Sequence, residues 1–284
     1  MKFGIIKERK TPPDRRVVFT PEELKRLKAE HSEAEIKVET SDIRVYDDSQ
    51  YIDAGIEVAD DMTDCDVLFG VKEVPIAALI PNKKYFFFSH TIKKQPYNRD
   101  LLRAILEKNI ELYDHETIVD ATNKRLIGFG RYAGIVGAYN GIRGFGIKYD
   151  LFALPKAETL KTKEDLITRL LRQTLPNIKI VLTGHGKVAM GAKEILDGMK
   201  IKQVSIADYL TKKYSEPVYT QIDTLDYNKR KDGKESSKQD FYQNPQEYIS
   251  DFERFTKVSD VFMAGHFHGN GSPDILTNEK QRAH

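Results

Sequence analysis

One cysteine, Cys65, and no tryptophan occur in 284 residues. A lone cysteine excludes an internal disulfide and suits a reducing compartment. No apolar run approaches the ~18 residues that a membrane span needs. The opening Met1–Lys7 stretch is too short for a signal peptide, so a soluble, cytoplasmic protein is expected. An excess of one charge is also missing: 45 Lys+Arg face 43 Asp+Glu, a formal net charge of +2. That excludes the broad basic footprint of a nucleic-acid binder. At 31% charged and 40% hydrophobic the chain is polar, yet its apolar runs recur and can build cores, which excludes disorder. The length fits two domains or one large one.

The apolar runs alternate between strand and helix signatures. Lys2–Ile6 reads as a strand, and Thr20-Pro21-Glu22-Glu23 as a helix start with a cap, a proline at the first position and a capping box. Leu24, Leu27 and Ala29 give that helix a partly apolar face. Ile36–Val38 is a short strand, and a short helix over 49–54 stops at Gly55. Asp66–Gly70 and Tyr85–Phe88 read as buried strands of a covered, largely parallel sheet. A helix over Arg99–Lys108 carries Leu101, Leu102, Ile105 and Leu106 on one side. Tyr132–Tyr149, rich in Ala and Gly, fits a closely packed helix despite the glycine cost. Lys156–Thr174 is a charged connection and helix. Ile178–Thr183 is a strand, Lys187–Met199 a helix, Gln203–Ile206 a strand, and Val258–Ala264 a buried strand. Asp226–Asn244, dense in Lys, Asp, Ser and Gln, is expected to be a solvated loop. Alternation of this kind implies an α/β layer architecture.

The strand ending at Thr183 runs into Gly184-His185-Gly186-Lys187-Val188-Ala189, in which Gly184, Gly186 and Ala189 match the G-x-G-x-x-G/A spacing of a dinucleotide fingerprint. Gly184 allows a tight turn, Gly186 lets backbone approach a pyrophosphate, and Ala189 keeps helix close to strand. The amides of Lys187, Val188 and Ala189 then open the helix, where free N–H groups favour an anion. An acidic residue about 20 positions on should reach the adenine ribose, and Asp208 is the candidate. It favours NAD, while Lys212 and Lys213 nearby leave NADP open. Taken alone, such a loop is equally an ordinary set of turn glycines.

Charged residues stand where strands end. Lys72 and Glu73 follow Val67–Val71, and His90 follows Phe86–Ser89. Carboxyl ends of parallel strands line the ligand crevice of an open α/β sheet. Histidine there exchanges protons near neutral pH, and lysine binds carboxylates or acts as an acid–base group. Arg16 and Arg125 could fork onto carboxylates. Pattern alone leaves each of these as an ordinary surface side chain.

Together these stretches resemble the alanine dehydrogenase and lysine-forming saccharopine dehydrogenase superfamily. The resemblance rests on Gly4–Glu8 with Arg15–Pro21, on Phe86–Lys93, on Phe129–Gly137, on Val181–Val188 and on Pro245–Ser250. It is closest to the lysine–2-oxoglutarate reductase branch and runs in order over nearly the whole chain. It implies two Rossmann-like domains with largely parallel sheets and an interdomain cleft. These are an N-terminal substrate-binding domain over 1–130 and a nucleotide-binding domain over 131–284, with the C-terminal part missing. It also implies an NAD(P)-dependent amino-acid dehydrogenase that reduces the imine of lysine and 2-oxoglutarate, or runs the reverse. On the matching positions His90 and Lys72 would be the acid–base pair. Arg16 and Arg125 would hold substrate carboxylates, with Glu73 and Glu116 tuning the charge around them. The implied partners are small amino-acid and 2-oxo-acid substrates, with no nucleic acid and no membrane.

Two departures stand out. His266-Phe267-His268 falls where the family carries an apolar–aromatic stretch. No third ligand has a recognisable spacing to those histidines, so no metal is expected. The chain stops at Gln281–His284, soon after the Val261 strand, where relatives continue with further strands and an acidic active-site residue. Alanine dehydrogenase and a non-catalytic nucleotide-binding paralogue therefore remain as alternatives.

Overall fold

Short, near-continuous apolar runs pair into parallel sheets, and helices between them cover the sheet faces. The computed structural model describes residues 1–277, so the expectation for Gln281–His284 lies outside the described residues. The chain divides into two compact units, the first Met1–Gly128 and the second starting at Phe129.

The first unit runs β1 (Lys2–Ile5), α1 (Pro21–Glu30), β2 (Glu35–Glu39), α2 (Asp48–Asp53), β3 (Glu57–Ala59), β4 (Val67–Phe69), β5 (Lys84–Phe87), α3 (Arg99–Glu107) and β6 (Glu111–Asp114). Its six strands are parallel in the order β3-β2-β1-β4-β5-β6. Strand order therefore reverses between β1 and β4, the place where open α/β sheets offer a crevice. Strand periodicity sends neighbouring residues to opposite faces. Leu68 joins Tyr85, Phe87, Leu101 and Ile105, while Phe69 packs with Ile5, Leu24, Val38 and Tyr51. The expected capping box holds α1: Glu23 N donates to Thr20 Oγ1 at 3.2 Å and Thr20 N to Glu23 Oε2 at 2.8 Å. Such a cap is worth about 1 kcal/mol. Two expected helix faces are narrower than anticipated. In α3 the buried stripe is Leu101, Ala104 and Ile105, and Leu106 is 72% exposed because it lies about 100° further round the helix. Ala29 of α1 is exposed as well.

The second unit runs α4 (Gly130–Lys148), α5 (Lys163–Leu171), β7 (Lys179–Thr183), α6 (Lys187–Gly198), β8 (Lys202–Gln203), α7 (Ile206–Thr211), β9 (Val218–Ile222), β10 (Asn228–Arg230), α8 (Lys238–Gln243), β11 (Tyr248–Ser250), α9 (Glu253–Thr256) and β12 (Val261–Ala264). Four parallel strands lie in the order β12-β7-β9-β8, and β10 pairs antiparallel with β11. Ile180 and Leu182 of β7 face α4, α5 and α6. Val181 faces Tyr209, Tyr227, Phe252 and Phe255 on the other side. The glycines of α4 and α6 explain why a glycine-rich segment is helical here. A Cβ on Gly134 would fall 1.8 Å from the Val188 carbonyl, and one on Gly191 would fall 1.9 Å from the Arg131 carbonyl. Close backbone approach outweighs the propensity cost.

Two sequence expectations change here. The strand anticipated over Gln203–Ile206 ends at Gln203, because Ser205 caps α7 by accepting from Asp208 N at 3.1 Å. The 226–244 segment is not one solvated loop. It contains β10 and α8, and Phe241 is buried against Tyr248 with ring centroids 5.0 Å apart. Among the described residues, no helix is long and apolar enough to cross a membrane.

Candidate functional site

Three adjacent strand ends of the first unit bring a charged cluster together. Lys72 and Glu73 follow β4, His90 follows β5, and Glu116 follows β6. His90 Nδ1 lies 3.0 Å from Glu116 Oε2, and His90 Nε2 lies 3.3 Å from Lys72 Nζ. An ionised Glu116 offers only acceptors, so its shorter contact favours the ring hydrogen on Nδ1 over the Lys93 ammonium at 3.4 Å from the same atom, and leaves Nε2 to accept from the Lys72 ammonium. Glu73 Oε1 is 3.9 Å from Nε2, and its other oxygen pairs with Lys10 at 3.1 Å. Lys93 and Arg125 reach Glu116 at 3.3 and 3.6 Å, each about half exposed. Arg16 donates through Nε to Asp14 at 2.9 Å. Its charge is felt at Lys72. Of the residues singled out from the sequence, Lys72, Glu73, His90, Glu116 and Arg125 are thus joined in one network, with Arg16 within electrostatic reach.

The electrostatics suit proton transfer. Burial first, then the charge of Arg16, holds the Lys72 ammonium below its ordinary 10.5. Burial pushes the Glu116 carboxyl up, but hydrogen bonds from His90 and Lys93 outweigh it and hold the group below the usual carboxylate value. A second histidine, His115, is buried behind Phe88, its Nε2 on the Gly70 carbonyl at 3.1 Å, and burial lowers its pKa. Burial thus disfavours its charged form, and of the two imidazoles only His90 touches Glu116 and Lys72. His90 itself has φ 57° and ψ 9°, a left-handed conformation that costs a non-glycine residue about 1–2 kcal/mol.

Sequence reading passed over Glu8. It fills the crevice between β1 and β4: Oε1 accepts from Val71 N at 2.6 Å and Oε2 from Lys72 N at 2.9 Å. Burial raises its pKa. A side-chain carboxylate thus already occupies the amides that a ligand anion would otherwise find at this position. Its signal was the motif Lys7-Glu8 directly after an apolar strand.

In the second unit the glycine loop takes the corresponding place after β7. Gly184 has φ +89°, and a Cβ there would meet the Gly265 carbonyl and His266 Cα at 2.9 Å. Its amide donates to the Ile222 carbonyl at 2.7 Å, and Gln221 Nε2 donates to its carbonyl at 2.8 Å. Gly186 caps α6 without a side chain, and a Cβ on it would meet nothing within 4 Å. Ala189 is fully buried against Gly265. The first-turn amides of Lys187, Val188 and Ala189 form the end of a 12-residue helix, an anion-binding geometry.

Strand order places Asp208, the acid expected from the sequence, away from the glycine loop. Asp208 follows the edge strand β8 and pairs with Lys212 at 2.9 Å. β7 lies between β12 and β9, and the acid at the end of β9 is Asp223. Asp223 Oδ2 lies 3.9 Å from His185 Nε2 of the glycine loop and also pairs with Lys238. Burial pushes its carboxyl up, but Lys238 outweighs this and holds it below the usual value. Val218–Ile222, with three β-branched residues, was the missed signal for that strand. His266 and His268 face each other at 6.5 Å, and His266 Nδ1 lies 2.6 Å from Thr183 Oγ1. Among the described residues, no group of three or more His, Cys, Asp or Glu could hold a metal.

Comparison with known proteins sets these sites in context. Residues 4–136 match the family "Alanine dehydrogenase/PNT, N-terminal domain". The alpha-aminoadipic semialdehyde synthase of Arabidopsis thaliana is 30% identical, over 98% of this chain and 30% of that protein. The mitochondrial enzyme of the same name from Rattus norvegicus is 26% identical, over 86% of this chain and 29% of that protein. The L-lysine-forming, NAD(+) saccharopine dehydrogenase of Yarrowia lipolytica is 24% identical, over 69% of this chain and 57% of that protein. The chain spans about 30% of the length of the synthases it matches. A solved L-alanine dehydrogenase aligns with 17% identity and a TM-score of 0.49, over 80% of this chain and 62% of that one.

Proposed function

We propose that this chain, whose residues 4–136 match the family "Alanine dehydrogenase/PNT, N-terminal domain", acts as an NAD(P)-dependent amino-acid dehydrogenase of the lysine-forming saccharopine dehydrogenase type. The first unit binds the amino acid and 2-oxo acid, and the second binds the nucleotide. The observation that carries this reading is the Glu116–His90–Lys72 relay on three neighbouring strand ends.

Imine formation between lysine and 2-oxoglutarate, and hydrolysis in reverse, needs a group that gives and takes a proton at the carbinol oxygen and the amine nitrogen. His90 and Lys72 do this, 3.3 Å apart, and burial makes the Lys72 ammonium a readier proton donor than an exposed lysine. Glu116 orients the imidazole through Nδ1, and Glu73 balances Lys10 beside it. Arg16 and Arg125 are forked cations suited to substrate carboxylates. Gly184, Gly186, the amides of Lys187, Val188 and Ala189, and Asp223 would hold the dinucleotide. Bound there, it would supply the hydride. Asp223 favours free ribose hydroxyls, and its Lys238 partner is a cation for a 2′-phosphate, so both NAD and NADP fit this reading.

The test follows oxidation of NADH and of NADPH with lysine plus 2-oxoglutarate, and separately with pyruvate plus ammonia. Turnover in the first mixture is expected. Turnover only in the second would make the chain an alanine dehydrogenase, a reading favoured by the name of the matched domain. Nucleotide binding without turnover in either mixture would overturn both.

A further inference from the structure

His90 holds a left-handed conformation that its own backbone disfavours, so something outside the residue must hold it there. The residue before it supplies the hold. Ser89 is fully buried, and its hydroxyl donates to Asp114 Oδ2. The same oxygen accepts from Thr91 N at 3.1 Å and lies 2.8 Å from Thr91 Oγ1. One donor and two acceptor positions exhaust a hydroxyl, so Ser89 ties both sides of His90 to one carboxylate. Asp114 is also buried, and its second oxygen, Oδ1, accepts from Glu116 N at 2.8 Å. One carboxylate therefore grips two loops, one carrying His90 and the other carrying its partner Glu116.

We propose that Asp114 and Ser89 are positioning residues of the acid–base centre: they fix His90 in its left-handed state with Nδ1 on Glu116 and Nε2 on Lys72. Neither touches the network through its own ionisable chemistry. Both act by setting where the imidazole sits and which nitrogen bears the hydrogen. The role rests on the dehydrogenase reading for its kinetic consequence but not for its geometry, and the experiment separates the two.

The spectroscopic arm uses ¹⁵N-histidine correlation spectra of the full chain. In the unaltered protein above the imidazole titration, His90 should show the Nδ1–H tautomer that Glu116 enforces, against the Nε2–H form preferred by a free ring. Ser89→Ala, which removes one oxygen, should shift His90 to a mixture of tautomers. Asp114→Asn should do the same by weakening the grip on both loops. The kinetic arm expects Ser89→Ala to lower kcat about 10- to 100-fold, the loss typical of a misplacement near 1 Å, while KM for NADH changes less than about twofold. Restoring the hydroxyl with Ser89→Thr should recover part of kcat. If Asp114→Asn fails to fold, Ser89→Ala still decides the matter. An unchanged His90 tautomer in folded Ser89→Ala overturns the clamp, whatever the activity. A shifted tautomer in a protein without any turnover would keep the clamp and remove the dehydrogenase reading.

Discussion

The two units share a doubly wound, parallel design, yet their crevices are treated in opposite ways. Between β1 and β4 the chain fills the crevice with its own carboxylate, Glu8, on the amides of Val71 and Lys72. Beside β7 it leaves a side-chain-free helix start at Gly186. A filled crevice rigidifies a platform for charged side chains. A bare one leaves helix-start amides free of a side-chain partner of the Glu8 kind. The architecture is thus neutral about function, and a handful of residues at strand ends decides it.

The comparison breaks first at His90. His90→Ala should cut turnover on the order of 10³-fold while leaving NADH affinity within about twofold, since the two sites belong to different units; titration of NADH fluorescence and steady-state rates check this. A large loss of NADH affinity would count against the division of labour. Gly186→Ala should do the converse. Its Cβ has open space in the protein, so the melting temperature should hold, whereas NADH affinity should fall about ten- to a hundredfold, the cost of an overpacked contact. Asp223→Asn should weaken NADH roughly tenfold and Asp208→Asn scarcely at all; equal effects would restore the acid after β8.

The pH profile sharpens the same contrast. As pH rises Lys72 loses its proton earlier than an ordinary lysine, so the basic limb of kcat/KM should lie below 10.5. Lys72→Arg, which stays charged, should lose most turnover and show no such limb in the residual rate, and a limb that persists would assign it elsewhere. The smallest expected effect concerns packing in α4. Gly137→Ala has nothing within 4 Å of the new Cβ and should stabilise the protein by about 0.5–1 kcal/mol in thermal unfolding. Gly134→Ala, driven into the Val188 carbonyl, should destabilise it by about 3 kcal/mol.

Much of this was legible before any coordinates. The apolar runs at β1, β4, β5 and β7, the capping box of α1 and the glycine turn after β7 are local patterns, set by side-chain period and turn chemistry over a few residues. The short strands β3 and β6 and the polar, partly buried segment around β10 and α8 were not, because too few residues carry the period to stand out. At the acid–base centre the residue types and the strand-end positions were visible, and the resemblance tied them together. Glu8, Ser89 and Asp114 were overlooked because each works through a hydrogen bond to backbone or to a residue distant in the chain.

Taken by itself, the sequence determined the alternation of strand and helix, the glycine bend that only a residue free to adopt positive φ can make, and the family likeness of the first unit. Tertiary structure alone decided which strands are neighbours. That choice moved the acid beside the glycine loop from Asp208 to Asp223 and brought the ends of β4, β5 and β6 together around His90. Local patterns depend on the nearest residues, whereas strand adjacency is settled by burial of whole faces and by ladders between segments far apart in the chain.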